Sequence, residues 1–281
     1  MRREEMAEKP PKLIALLTDY GYKDPYVGAV KGVILSINPR AVIIDISHEI
    51  SSYDISEASY VLNSVYKEYP EGTIFVVVID PGVGSSRRGV LVETRRYYFI
   101  GPDNGVLRPA IDEDGIKRVI LLNNEKYFRK PVSHTFHGRD IFASVAAYLS
   151  LGIDPSEFGE TINPNTLIPS PLNIVCEKID KWVRTFVIHI DRFGNVITGC
   201  RTDVLEKLLG HLRSYQEIFI RVRGVETYKG VFHMTFSMAK PGEIVMYPGS
   251  MGFIELGVYM SSFARKTNCK KGDELLISRG A

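Results

Sequence analysis

Three unbroken apolar runs, each meeting polar residues at or near its end, constrain this chain more than any other feature. They are LIALLTD (Leu13 to Asp19), AVIIDI (Ala41 to Ile46) and TIFVVVI (Thr73 to Ile79). A strand with one wetted face alternates apolar and polar residues, so an unbroken run of strand length reads as a strand buried on both faces. Helical signals separate the runs. Val30, Val33, Ile34 and Ile37 follow helical spacing until Asn38-Pro39, a pair that ends a helix. Asp54 and Glu57 form a D-x-x-E start resembling a capping box, and Ile55, Ala58, Leu62, Val65 and Tyr69 share the face behind it. VLVET and YYFIG read as a hairpin around Arg95-Arg96. Asp140 reads as the cap of a further helix running to Leu151, with Gly152 as its stop. The alternation predicts an α/β N-terminal domain with a largely parallel sheet.

After Gly159 the character changes. NPNTLIPSPLN has no apolar period and reads as a linker. Short strand signals follow in WVRTFVIHID, NVIT, EIFIRV, EIVMY, GFIEL and ELLIS, with one helical stretch, TDVLEKLLG. This predicts a smaller, mainly β, barrel-like C-terminal domain. The expected division is a tail over 1–12, a catalytic α/β domain over 13–168, a linker over 169–180 and a binding domain over 181–281.

Composition narrows the function classes. Hydrophobic residues make up 44% and charged residues 24% of the 281, an ordinary globular profile. A net charge of +2 gives no support for a nucleic-acid partner. No apolar run approaches the roughly 18 residues of a membrane helix. MRREEMAEKPPK lacks the apolar stretch of a secretory signal, so a cytoplasmic protein is expected. Cys176, Cys200 and Cys269 are far apart and odd in number. They fit neither a disulfide framework nor a zinc site and read as buried small hydrophobes.

Ligands of open α/β sheets bind beyond the carboxyl ends of strands. TDYGYKD, DISH and DPGVGSSR stand at three such ends. Each aspartate taken singly could be a cap or turn former; three together suggest a cleft. DPGVGSSR looks like a phosphate loop but lacks the spacing and lysine of a P-loop, and it exits into a strand rather than a helix. HTFHGRD adds His137 at a helix entry, where the dipole favours neutral imidazole. Both its histidines could instead serve backbone groups. No metal-ligand spacing appears, although a carboxylate site among Asp19, Asp24 and Asp80 stays open, and no G-x-S-x-G elbow is present. In DRFGN, Phe193 and Asn195 offer a stacking face and an amide for a purine edge, or simply a turn.

TDYGYKDPYVGAVKG, DISHEI, DPGVGSSR, GPDNGVL, TFHGRDIF and DRFGNVIT, in this order, resemble the S-adenosylmethionine hydroxide adenosyltransferases, the former DUF62 family related to the fluorinases and chlorinases. The resemblance extends from about Leu13 to the last strand. It implies a homotrimer with active sites shared between subunits, and hydrolysis of S-adenosyl-L-methionine to adenosine and methionine. That molecule is a substrate, and no cofactor is implied. The hydrolytic Asp–Arg–His set falls on Asp80, Arg87 and His137. Asp19 matches the acid that grips the ribose diol. Asp24 and Asp191 match acids near the methionine amino group, and Asn195 and the Ser250 loop match adenine and methionine contacts. The implied substrate-binding positions also include Tyr20, Tyr53, Phe136, Gly138, Phe193, Met251, Val258 and Met260. Tyr53 stands where halogenating relatives carry tryptophan, and Val258 to Met260 lacks their arginine and asparagine. Two other readings remain: a module that binds S-adenosylmethionine or adenosine without turnover, and halide-dependent adenosyl transfer.

Overall fold

The computed structural model describes residues 12–280; the expected tail, apart from Lys12, lies outside them. The chain divides into two compact units, one ending at Pro171 and one beginning at Leu172.

In the first unit the chain runs β1 (Leu13–Thr18), α1 (Tyr26–Ile37), β2 (Val42–Ser47), α2 (Ile55–Val65), β3 (Ile74–Val78), β4 (Gly89–Thr94) and β5 (Tyr98–Pro102). It continues through α3 (Arg108–Asp114) and β6 (Ile116–Leu122) to a π-helical turn, Gly138–Ala143, that leads into α4 (Ser144–Ser150), and ends with β7 (Gly159–Ile162). The sheet order is β2-β1-β3-β5-β4-β6-β7. β2, β1, β3 and β5 are mutually parallel, and antiparallel pairs carry the sheet on through β4, β6 and β7. The apolar runs explain the layering. Ile14, Leu16, Ile74, Val76 and Val78 point into a core shared with α1 and α4. Ala15, Leu17, Phe75, Val77 and Ile79 point the other way, toward α2 and α3. Each fully buried Val, Leu, Ile or Phe side chain contributes about 1.5–3 kcal/mol, so both faces of β1 and β3 drive folding.

Two expectations for this unit are corrected. Among the described residues β2 is an edge strand, paired only with β1, and Val42 and Ile44 remain 46% and 40% exposed. An apolar run cannot report how many neighbours its strand has. Asp140 does not cap a helix: the helical turn begins at Gly138, with His137 before it. The buried Asp140 carboxylate accepts from Arg139 Nε at 2.7 Å, the Ser133 amide at 2.8 Å and Arg129 Nη1 at 3.2 Å. Burial opposes ionisation there, yet these donors hold its pKa below the ordinary aspartate value. The Asp54 cap does form, its side chain accepting from the Glu57 amide, while Glu57 accepts from the Ser51 amide. The GPDNGVL motif is structural. Asp103 accepts from Arg88 and from the Ile168 amide, and the Asn104 amide group donates to the Ile79 carbonyl.

The second unit contains β8 (Glu177–Ile179), β9 (Trp182–Ile190), β10 (Val196–Arg201), α5 (Thr202–Leu209), β11 (Gln216–Val222), β12 (Glu226–Phe232), β13 (Ile244–Pro248), β14 (Phe253–Val258), α6 (Phe263–Thr267) and β15 (Glu274–Ser278). Seven strands close a barrel in the order β10-β14-β13-β12-β11-β15-β9, with β9 pairing back to β10 and β8 appended outside. Alternate residues fill it: Ile218, Ile220 and Val222 of β11 meet Leu275 and Ile277 of β15. Closure leaves no open edge among these seven strands.

Cys176 and Cys200 form a disulfide, which corrects the reading of both as isolated hydrophobes. The segment before β8 crosses β10 so closely that a Cβ on Gly199 would collide with the Asn173 carbonyl. That crossing joins thiols 24 residues apart, with no local spacing to announce it. Cys269 is free and buried, and burial pushes its thiol up to about 12. Closing a loop of this size constrains the unfolded chain by about 3 kcal/mol in the chain-entropy model. Reduction is therefore expected to lower the Tm of the barrel by several degrees; an unchanged Tm with three titratable thiols per chain would contradict this.

Candidate active site

The loop after β3 owes its shape to two glycines. Val83 N donates to the Asp80 carbonyl at 3.2 Å and Ser85 N to the Gly82 carbonyl at 3.1 Å, so the chain turns twice in succession. Gly84 has φ +78, and a Cβ there would strike the His134 carbonyl oxygen. The Arg87 amide then donates to Ser85 Oγ at 3.2 Å. The turn returns Arg87 to Asp80. Its Nε donates to Oδ1 at 2.9 Å and to Oδ2 at 3.1 Å, and Nη2 also donates to Oδ2. The side chains are only 12% and 6% exposed. A nearly dry ion pair of this kind depends on good geometry to offset desolvation. The guanidinium also lies over the Phe142 ring, 5.2 Å from its centre.

His137 joins from the junction before the Gly138 turn. Its Nδ1 is 2.9 Å from Arg87 Nη2. A guanidinium only donates, so Nδ1 accepts and the ring proton resides on Nε2. Burial lowers the His137 pKa, and the Arg87 charge lowers it further. The neutrality expected from the helix dipole thus follows here from desolvation and a neighbouring cation. Because the folded value is depressed, the stabilisation is present above the ordinary value of 6.5 and is lost as pH falls through the lower, folded one. The same sign governs activity: the acid limb of kcat/KM should lie below pH 6.5, and a limb above it would contradict a neutral His137.

A cavity of about 400 Å³ opens beside these groups and is lined by Asp19, Tyr20, Asp24, Tyr53, Asp80 and His137, among others. Arg87 is not among its lining residues: it stands behind Asp80 and His137 and holds both. Asp19 Oδ2 accepts from the Tyr53 amide at 2.9 Å. The Tyr20 hydroxyl rests on Gly138, where a Cβ would collide with it. Burial, then the charges of Asp19 and Asp80, push this phenol's pKa well above the usual tyrosine range. Phe136 packs edge-on to Tyr20, 5.8 Å between centres, so it supports the cavity rather than lining it. Gly138 acts by its missing side chain. Tyr26, Ser52 and Thr135 also line the cavity and were not singled out from sequence. Tyr26 and Thr135 fall inside quoted motifs, which was the available signal.

The second unit carries a separate cavity of about 1140 Å³ lined by Asp191, Phe193, Asn195, Val258 and Met260, with Phe236, Tyr259 and Arg265 unanticipated. Asp191 organises its own turn, accepting from the Phe193 amide at 2.9 Å, the Asn195 amide at 2.8 Å and Asn195 Nδ2 at 2.8 Å. Phe193 is left 77% exposed, a free stacking face. Ser250 and Met251 are not brought into this cavity. They sit in the turn before β14, whereas Val258 and Met260 follow from its far end. Among the described residues no group of three or more His, Cys, Asp or Glu is arranged to hold a metal ion. No helix among them is long and apolar enough to cross a membrane.

Comparison with known proteins finds one family along both units of the chain. Residues 14–159 match the SAM hydroxide adenosyltransferase N-terminal domain and residues 185–276 its C-terminal domain. The chain is 36% identical to the (R)-S-adenosyl-L-methionine hydrolase of Methanocaldococcus jannaschii, over 94% of this chain and 95% of that one. It is 34% identical to the enzyme of that name from Thermus thermophilus, over 92% and 96%. A fluorinase of an Actinoplanes species is more distant, at 26% identity over 95% and 97%. A crystal structure of a conserved Thermotoga maritima protein superposes with a TM-score of 0.88 at 36% identity, covering 94% of this chain and 99% of that one. With both domain models matched over most of its length, the chain belongs to the SAM hydroxide adenosyltransferase family.

Proposed function

We propose that this chain hydrolyses S-adenosyl-L-methionine to adenosine and L-methionine by attack of water on C5′. The observation that carries the reading is the Asp80–Arg87–His137 chain beside the cavity that also contains Asp19. The names of the relatives support it, since those at 31–36% identity are hydrolases and the fluorinases lie at 23–26%.

The chemistry asks little of the leaving side. As oxygen bonds to C5′, the C5′–S pair returns to sulfur and a neutral thioether departs, so neither a general acid nor a cofactor is called for. Water is the difficulty, because it is a poor nucleophile until its proton leaves. With Nδ1 engaged by Arg87 and the proton on Nε2, His137 donates to the water oxygen and orients it. Asp80 is then the acceptor. Arg87 occupies part of each carboxylate oxygen, but a carboxylate has about four lone-pair sites, so one remains for the proton of the attacking water. Arg87 keeps Asp80 aimed and fixes the His137 tautomer. In-line placement of water, C5′ and sulfur supplies much of the rate. Asp19 holds the ribose diol, and the Phe193–Asn195 turn supplies a stacking face and amide for adenine.

The homotrimer implied by the resemblance is part of this proposal. Edge strand β2, with Val42 and Ile44 partly exposed, is the place proposed for contact with a second copy. Light scattering should give three times the chain mass; a monomer that turns over substrate would remove this part. The activity itself is tested by incubating the protein with S-adenosyl-L-methionine, with and without chloride. Equimolar adenosine and methionine in both arms is the expected result. Recovery of intact, stoichiometrically bound substrate would mean a binding module, and a chlorinated nucleoside a halide-dependent transferase.

A further inference from the structure

The turn that carries Asp19 and Tyr20 to the cavity is held from beneath by polar groups that take no part in the chemistry above. Thr18, the last residue of β1, is buried. Its Oγ1 accepts from the Tyr20 amide at 3.2 Å and lies 2.7 Å from Nδ1 of His48. His48 is also buried, just beyond β2. Its carbonyl accepts from the Gly21 amide at 2.7 Å, and its ring meets Tyr22 edge-on, 5.1 Å between centres. One histidine therefore touches the turn at Thr18, Gly21 and Tyr22. On the far side its Nε2 stands 3.1 Å from Asp45 Oδ1. Asp45 is itself fixed by Lys31 Nζ at 2.7 Å and Tyr22 Oη at 3.0 Å.

The proton positions follow from counting. Thr18 Oγ1 already accepts the Tyr20 N–H, so its own proton goes to His48 Nδ1. The ring proton then lies on Nε2, whose nearest acceptor is Asp45 Oδ1 at 3.1 Å; the two are not aligned as a hydrogen bond, so this link is a close electrostatic contact. The other tautomer would set a nitrogen lone pair against that carboxylate and strand the Thr18 proton in a buried site. An apolar side chain could fill this space without partners. Polar groups here supply direction instead: they fix where the strand ends and the turn begins.

We infer that Thr18, His48 and Asp45 form a positioning relay that holds the 18–22 turn so that Asp19 meets the substrate's ribose diol. His48 and Thr18 do not line the cavity, so both are positioning residues. The inference rests on the reading of Asp19 as the ribose ligand.

The test compares the affinities of adenosine and 2′,3′-dideoxyadenosine by calorimetry on the full chain. Wild type should prefer adenosine by about 10-fold or more, the loss expected when hydrogen bonds to a carboxylate are deleted. Thr18→Val and His48→Leu should collapse that ratio toward the value for Asp19→Asn, leaving dideoxyadenosine affinity unchanged. Thr18→Ser, which keeps the hydroxyl, should retain it. General damage to the fold would weaken both ligands together and would count against the relay. An unchanged ratio in folded Thr18→Val overturns the inference; if that variant does not fold, an unchanged ratio in folded His48→Leu does. If Asp19→Asn itself keeps the wild-type ratio, the ribose reading fails and the inference with it.

Discussion

Asp80→Asn should lower kcat for adenosine release by a factor of about 10²–10⁴, the usual worth of a general base, with a much smaller change in KM. The amide keeps the shape of the carboxylate but has no place for the proton of the attacking water. Arg87→Ala should reach a similar loss by another route. It leaves the Asp80 carboxylate, 6% exposed, without its cation. Breaking a buried pair in this way costs about 3–5 kcal/mol, so this variant should also melt earlier. Both variants break the pair and should melt earlier, Asp80→Asn less so because its amide oxygen still accepts from Arg87; the roles separate in kinetics, where Asp80→Asn lowers kcat by loss of the proton acceptor itself. Steady-state kinetics and a melting curve for each variant check this. Asp80→Asn with wild-type kcat would remove Asp80 as the proton acceptor.

Gly84→Ala should be the most damaging single methyl group near the site. Gly84 sits at φ +78, and the new Cβ would meet the backbone oxygen of His134, which cannot step aside as a side chain can. The left-handed conformation alone costs about 1–2 kcal/mol for a residue with a Cβ. The clash must push the loop away from the segment that carries His137, separating Asp80 and Arg87 from their partner. A kcat loss of about 100-fold is expected, in line with a displacement of reacting groups by about 1 Å. Gly72→Ala provides the control. Gly72 has φ +84 but open space where its Cβ would lie, so it should lose stability and keep kcat. Equal kcat values for the two variants would mean that the loop's contact with His134 is irrelevant to catalysis.

The sequence carried the architecture well because the determining signals are local. Unbroken apolar runs require cover on both faces, and β1 and β3 received it. The loop at Asp80 was legible for the same reason: a strand end, two glycines and an arginine lie within eight residues. What was not legible depends on neighbours distant in the chain. Edge strand β2 reads like a central one because sheet order is absent from its own residues. Cys176 and Cys200 gave no spacing signal because a crossing segment, not a motif, brings them together. Asp140 resembles a cap until Ser133 and Arg129 are seen to use its carboxylate. Arg87 stands behind Asp80 and His137 rather than in the cavity lining, a placement only side-chain packing decides. Ser250 and Met251 precede β14, whereas Val258 ends it and Met260 follows, so the length of a strand lies between the two pairs.

The most direct test of the central claim is a turnover in water enriched in heavy oxygen, with both products analysed by mass spectrometry. Attack on C5′ by water activated at Asp80 predicts one heavy oxygen in adenosine, at O5′, and none in methionine. Consumption of S-adenosylmethionine with unlabelled adenosine, or recovery of the substrate intact, would contradict it.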